Sequence, residues 1–185
     1  MKVDVHDCLE AVGEGAWNEL HARTSLRSPF LTWIWQREWA EVFAAGHRLE
    51  IWRVADAGGL VALLPLYEAE AGVFRILGGV EISDYLDLIA VAGREEEAWK
   101  ALLDARAAAG TVWDLHSVPG ASPTVTAMPA LAGAAGLEAK VAVEERCPVL
   151  DLPSSWEAYL ASLSGKHRHE LTRKMRRLER EAPDA

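Results

Sequence analysis

The feature that most constrains this chain is a series of short apolar runs between Arg48 and Val91, separated by glycine-containing breaks. Runs rich in β-branched and aromatic residues between such breaks predict successive strands. The run Leu60 to Leu66 is almost wholly apolar, so we expect it to be covered on both faces in the middle of a sheet. Pro65 has no N–H to donate, which predicts a bulge, a strand end or an unpaired side there.

The flanking segments complete the pattern of an α/β (α+β) fold, in which helices surround a mixed, mainly antiparallel sheet. The sequence predicts a strand from Val3 to His6 or Asp7, helices at 14–22 and from Thr32, a helix at 94–109 ended by Gly110, a strand at 112–118, a helix at 124–135 and a hairpin formed by 137–144 and 147–152. In the helix at 94–109, one face is shared by Ala98, Trp99, Leu102, Leu103 and Arg106. The order strand, helix, strand implies a parallel crossover.

The helix after Thr32 is expected to bury an apolar stripe. That stripe comprises Ile34, Trp35, Trp39, Val42 and Phe43. Trp33 lies off the stripe, either at the surface or facing a cleft.

The last part of the chain predicts two further helices. Ser154 and Glu157 have the spacing of a capping box, and the helix that they begin is expected to bury Trp156, Tyr159, Leu160 and Leu163. The basic helix that follows keeps only a thin apolar seam of Leu171, Met175 and Leu178. Such a narrow seam favours docking on a neighbour.

The charge is distributed unevenly along 185 residues with a net charge of −9. Residues 1–165 hold 12 basic and 24 acidic side chains, whereas Lys166 to Arg180 hold seven basic and two acidic ones. An acidic body repels nucleic acid and anionic lipid, so a polyanion is expected to meet the basic helix.

Several classes of protein are disfavoured by the composition. No run of about 18 apolar residues indicates a membrane span, and the acidic start does not have the pattern of an export signal. Cys8 and Cys147 are far apart, so we expect free thiols in a reducing cytoplasm rather than a disulfide framework. The six histidines lack metal-ligand spacing, and we expect no structural metal.

The polar residues of greatest interest follow the strand-rich region. If Tyr85 to Val91 is a strand, Tyr85 and Asp87 point to the same face beside Asp84, where a carboxylate and a phenol can orient an amine or act as base and acid. The alternative is that Asp84 caps a turn and Asp87 is a hydrogen-bonded structural group. Asp114 and His116 share a face of the next strand, as a structural pair or a binding pair.

Four segments carry a family resemblance. They are S-P-F-L-T-W-I-W-Q-R-E-W, L-V-A-L-L-P-L-Y, S-D-Y-L-D-L and the closing run from V-L-D-L-P-S-S-W to R-R-L-E-R. In this order the chain resembles the N-terminal half of the GNAT superfamily's FemAB-like (BioF2-like, CelD-type) acetyltransferases. The resemblance implies a GNAT-like domain at 1–153 and, at 154–185, a helical linker to a second GNAT-like half that is absent from this chain.

The resemblance implies an acyltransferase that transfers an acetyl or aminoacyl group to an amine. The full enzyme is expected to use acetyl-CoA or another acyl-CoA, with the donor associated with the second half. In GNAT domains the coenzyme diphosphate rests on backbone N–H groups at a helix start. Here Glu95, Glu96 and Glu97 fill that first turn and would repel it, so we expect no coenzyme A on this chain alone.

The resemblance also implies an amine or nucleotide-linked acceptor, with tRNA as the one nucleic acid to consider. The residues that we assign to acceptor binding are Trp33, His116, Lys166, Arg168 and Arg173. The basic residues are alternatively a solvated helix face. In a second hypothesis the chain is a non-catalytic GNAT-like module that binds a partner or forms a homodimer through helices 154–180.

Overall fold

The computed structural model describes residues 1–79, 81–106 and 110–182. The chain forms two compact units, Met1–Glu144 and Glu145–Ala185. The sequence had placed the boundary at 153.

The first unit contains six strands and five α-helices among its described residues. In chain order they are β1 (Lys2–His6), α1 (Glu14–His21), α2 (Trp33–Phe43), β2 (Leu49–Asp56), β3 (Gly59–Glu70), β4 (Val73–Ile76), β5 (Ile89–Ala90), α3 (Glu95–Arg106), β6 (Val112–Asp114), α4 (Pro123–Thr126) and α5 (Met128–Ala134). Single 3-10 turns lie at Leu9–Ala11 and Pro29–Leu31.

The strands form one mixed sheet in the order β1-β2-β3-β4-β6, with β5 also paired to β3. All pairs are antiparallel except β4 with β6, which is parallel. Helix α3 connects β5 to β6. The predicted α+β class, the mainly antiparallel sheet and the parallel arrangement after α3 are therefore confirmed.

Strand β3 is the centre of the core. Its residues Val61 to Leu66 are buried, as the unbroken apolar run predicted. On one side β3 pairs with β2 over its length, and on the other it pairs first with β5 and then with β4. Pro65 lies between those two partners, and its carbonyl accepts a hydrogen bond from Leu77 N. Because a strand residue directs its N and C=O to the same side, the missing N–H of Pro65 faces this interruption in pairing.

Helix α3 buries Ala98, Trp99, Leu102 and Leu103, which confirms the predicted face. Its last residue, Arg106, places its guanidinium 4.5 Å from the ring centre of Trp113 in β6. The predicted end of this helix, at 107–109, lies outside the described residues.

The predicted buried stripe of α2 was wrong except for Trp39, which is buried, and Trp35, which is half-buried. The buried face comprises Trp33, Gln36, Trp39 and Ala40, whereas Ile34, Val42 and Phe43 are exposed. Gln36 is fully buried because its amide nitrogen donates to two backbone carbonyls, Phe30 O at 2.7 Å and Leu77 O at 2.8 Å. These bonds satisfy the amide nitrogen, whereas the buried Gln36 Oε1 has no hydrogen-bond partner among the described residues.

Three other boundaries differ from the prediction. The strand at 112–118 ends at Asp114, and the helix at 124–135 is divided at Ala127 into α4 and α5. The hairpin at 137–144 and 147–152 was wrong, because those residues form no strand. Leu137 is half-buried against the core, but the later apolar residues Val141, Val143, Val149 and Leu152 are exposed, so most of the pattern had the period of a strand without the burial that stabilises one.

The second unit contains α6 (Trp156–Ser162) and α7 (Gly165–Glu181). The N-cap of α6 is Ser155, whose hydroxyl accepts from Ala158 N, so the predicted cap at Ser154 was wrong by one residue. The predicted buried face of this helix was also wrong, since none of its residues is buried. None of the described helices is long and apolar enough to cross a membrane.

Candidate functional site

Two of the quoted sequence segments meet at the start of α2. The indole Nε1 of Trp35 donates to Ser83 Oγ at 2.9 Å, and Ser83 Oγ donates to Gly78 O at 2.6 Å. Ser28 Oγ lies 3.4 Å from Asp84 O, to which it donates. The S-P-F-L-T-W-I-W segment therefore fixes the backbone of the S-D-Y-L-D segment.

The predicted arrangement of Tyr85 and Asp87 on one strand face was wrong. The strand is confined to Ile89–Ala90, and Tyr85 has a φ of +53°, in the left-handed region. Tyr85 is 46% exposed whereas Asp87 is 6% exposed, so the two residues differ in environment. Asp84 is also exposed. Asp84 and Tyr85 therefore lie at the surface, whereas Asp87 is buried.

Asp87 is the buried carboxylate of this region. Ser122 Oγ donates to its Oδ2, Thr124 Oγ1 donates to its Oδ1 at 2.5 Å, and Leu88 N donates to the same Oδ1 at 2.8 Å. Trp99 Nε1 in turn donates to Thr124 Oγ1 at 2.8 Å. Burial raises the pKa of Asp87 above its ordinary value, although these hydrogen bonds partly counteract it.

A cavity of 190 Å³ opens beside Asp87. Its polar lining includes two carboxyl groups, from Asp87 and from Glu95 at the start of α3, and the hydroxyl groups of Ser25 and Ser122. Leu26, Leu88, Ala90, Pro119, Ala121, Pro123 and Thr24 complete the lining. Among the described residues that line it, none is cationic. The cavity therefore combines an apolar wall with two carboxyl groups.

The first turn of α3 is acidic, and the arginine that precedes it, Arg94, is already paired with carboxylates. Arg94 donates from Nη2 to Asp56 at 2.7 Å and from Nε to Glu97 at 2.9 Å. The hydrogen bonds of Glu97 and Asp56 raise the pKa of Arg94, and those from Arg94 lower the pKa of both carboxyls. Glu95 Oε1 accepts from Ser25 Oγ at 2.9 Å. A diphosphate at this helix start would face Glu95, Glu96 and Glu97, with the nearby guanidinium already engaged, so these residues do not fit the coenzyme.

Asp114 and His116 form the predicted pair. His116 Nε2 lies 2.8 Å from Asp114 Oδ2, and Arg75 Nε donates to the same Oδ2 at 2.9 Å. Glu144 contacts His116 Nδ1 on the other side of the ring. Desolvation raises the pKa of Asp114, but the hydrogen bonds from His116 and Arg75 outweigh it and the pKa is lowered.

Trp33 is buried beneath α2 and packs edge-on against Trp17 at 5.6 Å between ring centres. Its backbone N–H donates to Asn18 Oδ1 at 3.3 Å. The expectation that Trp33 lies at the surface or faces a cleft was wrong, because its indole is part of the core.

The predicted basic residues lie in the second unit, which is described by itself. Arg168 donates to three backbone carbonyls at the end of α6 and so caps that helix. The shortest of these bonds, 2.7 Å, joins Arg168 Nε to Leu160 O. Arg173 pairs with Glu170 at 2.9 Å, and its hydrogen bond lowers the pKa of Glu170 to about 2. Lys166 is exposed on the first turn of α7.

Sequence reasoning missed Ser122, Thr124 and Glu95 as neighbours of Asp87. The Ser-Pro-Thr order at 122–124 does carry a signal, because Ser before Pro at a helix start is a typical N-cap, and Ser122 Oγ accepts from Thr124 N. Nothing in the sequence indicated that the same hydroxyls also donate to Asp87.

No group of three or more His, Cys, Asp or Glu side chains is arranged to hold a metal ion among the residues that the structure describes. The fold and the site together define an α+β protein with an acidic cavity at the start of a helix. Comparison with models of known families, with curated proteins and with solved structures gives no match for this chain.

Proposed function

We propose that this chain is the N-terminal half of a two-part GNAT-like N-acyltransferase of the FemAB-like kind, and that it holds the amine acceptor. In this proposal the second half supplies the acyl donor, an acyl-coenzyme A. The domain acts as the acceptor side of the cleft and is not catalytically complete alone.

The observation that carries this proposal is the cavity lined by both Asp87 and Glu95. A primary amine is an ammonium ion at neutral pH and is attracted to carboxylates, while its carbon chain favours the apolar wall. Asp87, whose pKa is raised by burial, is the better proton acceptor for that ammonium, since general bases work best with a pKa near the working pH. Asp84 and Tyr85 lie on the outer part of the same loop and are assigned to the rest of the acceptor.

The acidic start of α3 supports the same division of roles. Coenzyme A carries a diphosphate, and Glu95, Glu96 and Glu97 oppose it at the position where a GNAT domain would bind it. The donor therefore belongs to the other half. We further propose a cytoplasmic location, where the free thiols Cys8 and Cys147 remain reduced.

Titration with n-propylammonium, followed by backbone amide NMR shifts, tests the acceptor site. We expect saturable shifts around residues 87–90 and 119–123, and no such shifts with propionate. Glu95→Gln should weaken binding about tenfold, because one charge partner is lost. Glu96→Gln is the matched control: it removes an equal charge from the same helical turn, but Glu96 does not line the cavity.

Equal weakening by the two variants, or no shifts at all, contradicts the acceptor site. Calorimetry with acetyl-coenzyme A tests the donor side separately. Binding of the coenzyme at 95–97 would overturn the assignment of the donor to the second half.

One observation favours the alternative, a non-catalytic binding or homodimerisation module. Met175 and Leu178 of the predicted seam are exposed, Leu178 by 60%. Sedimentation of the wild type and of Leu178→Glu separates the two functions: a concentration-dependent dimer that Leu178→Glu abolishes favours the module, and a monomer at all concentrations contradicts it.

A further inference from the structure

Two carboxylates and one imidazole form a cluster that includes the last residue of the first unit. The cluster consists of Asp114, His116 and Glu144. The two ring nitrogens of His116 each face a carboxylate oxygen, Nε2 toward Asp114 and Nδ1 toward Glu144. A neutral imidazole has one donor and one acceptor, so one nitrogen would oppose a carboxylate lone pair. Only the protonated ring places an N–H on both nitrogens, so only the protonated ring can pair favourably with both carboxylates.

The same Glu144 side chain also holds the backbone. Its Oε2 accepts from Ser117 N at 2.8 Å, while Ser117 O accepts from Leu86 N at 3.1 Å. Ser117 has a φ of +57°, which is costly for a residue other than glycine and persists only where its surroundings hold it. Glu144 therefore fixes the strained peptide that lies next in sequence to His116.

This peptide leads directly to the cavity wall. Pro119, Ala121 and Ser122 line the cavity, and Ser122 also donates to Asp87. On the other side of Ser117, its carbonyl holds Leu86, the residue before Asp87. Ser117 therefore connects the cluster to both walls of the cavity through short backbone segments.

We propose that His116 is a pH-sensitive latch: its protonated ring keeps Glu144 on Ser117, and loss of the ring proton releases Glu144 and loosens the segment 117–122 that walls the cavity.

Neighbouring charges determine the range of pH over which the latch works. Arg75 on β4 pairs with Asp114, and its Nη2 also lies 3.8 Å from Glu70 Oε1. Tyr67 on β3 is directly opposite Arg75 in the sheet. Desolvation lowers the pKa of His116, but hydrogen bonds to Asp114 and Glu144 outweigh it and the pKa is raised. The latch is therefore fully closed below the ordinary histidine value of about 6.5 and opens as pH rises through the raised pKa.

NMR of the whole chain tests the latch without any ligand, and so independently of the proposed function. The His116 ring protons are titrated while hydrogen exchange of the Ser117 amide is measured from about pH 6 to about pH 9. After correction for intrinsic exchange, we expect Ser117 protection to fall about tenfold with the midpoint of the His116 titration, because a charge-assisted hydrogen bond is lost.

Two variants sharpen the test. Glu144→Ala should remove the pH dependence of Ser117 protection and lower the His116 midpoint. Glu145→Ala is the matched control, because this neighbouring carboxylate forms no ion pair with any residue that the structure describes, and its loss should leave both unchanged. A His116 midpoint at or below the ordinary value, or Ser117 protection that does not follow it, overturns the latch.

Discussion

Trp99 in α3 and Thr124 in α4 are joined by a buried hydrogen bond of 2.8 Å from the indole Nε1 to the hydroxyl Oγ1. The same hydroxyl donates to Asp87, so one side chain satisfies a buried donor and a buried acceptor at once. The buried face of α3 therefore also helps to fix the carboxylate of the candidate site.

Thr124→Val should lower the free energy of unfolding by about 1–3 kcal/mol, because it leaves the indole N–H unpaired in the core and removes a donor from Asp87. Urea denaturation measures this. Thr126→Val is the control: this exposed residue of the same helix bonds only Ser122 O, and its loss should cost less than about 0.5 kcal/mol. Equal effects would contradict the network.

Asp87→Asn should remove a pH dependence of stability. Because the folded pKa of Asp87 is raised, the folded state binds the proton more tightly, and wild-type stability falls as pH rises from about 3.9 through the raised pKa. The difference in urea midpoint between wild type and Asp87→Asn, measured across that range, should follow this decline. Asp84→Asn, at an exposed carboxyl of the same loop, should leave the decline in place.

Gly79→Ala should destabilise the protein more than Gly72→Ala. Both glycines have positive φ, which costs an alanine about 1 kcal/mol, but only at Gly79 would the new Cβ meet a neighbour, Trp39 Cζ2 at 2.8 Å. We expect an additional loss of about 1–3 kcal/mol from overpacking. Thermal and urea unfolding of the pair measure it, and equal losses would show that Trp39 moves aside freely.

Binding of polyanions to the basic helix is expected to depend on Arg173, Lys174, Arg176 and Arg177. Three of these cations form salt bridges with Glu170 or Glu181. Because these bridges are exposed and contribute little stability, another anion can readily replace the carboxylate. Fluorescence anisotropy with labelled polyphosphate should show an affinity that weakens with salt and disappears when all four become Gln. Unchanged binding would place the anion elsewhere.

The sequence predicted the parts of the fold that depend on local pattern. The apolar run of β3 and the helical spacing of Ala98, Trp99, Leu102 and Leu103 each identify one buried surface, and both are observed. The position of Pro65 at an interruption in pairing was predicted as one of three options, because the missing donor is a property of the residue itself.

The parts that failed depend on contacts far apart in the chain. The amide of buried Gln36 donates to the carbonyl of Leu77, 41 residues later in the chain, as well as to the nearby carbonyl of Phe30, and no local pattern indicates the distant bond. The alternation around Tyr85 predicted a longer strand, but pairing with β3 covers only Ile89 and Ala90. The environment of Asp87 comes from residues 35 and 37 positions later, so its partners were not predictable from spacing.

Pro65 has a consequence for how such a protein can change over generations. A sheet normally resists insertions beside its central strand, since each added residue leaves a donor without an acceptor. Pro65 has no backbone donor, and it lies between the part of β3 that pairs with β5 and the part that pairs with β4. Changes in the connection between β4 and β5 therefore leave the ladder of β3 intact, and their cost to folding depends on which position changes: buried residues such as Ser83 and Leu86 are constrained, whereas the exposed Glu81 and Ile82 are free to vary.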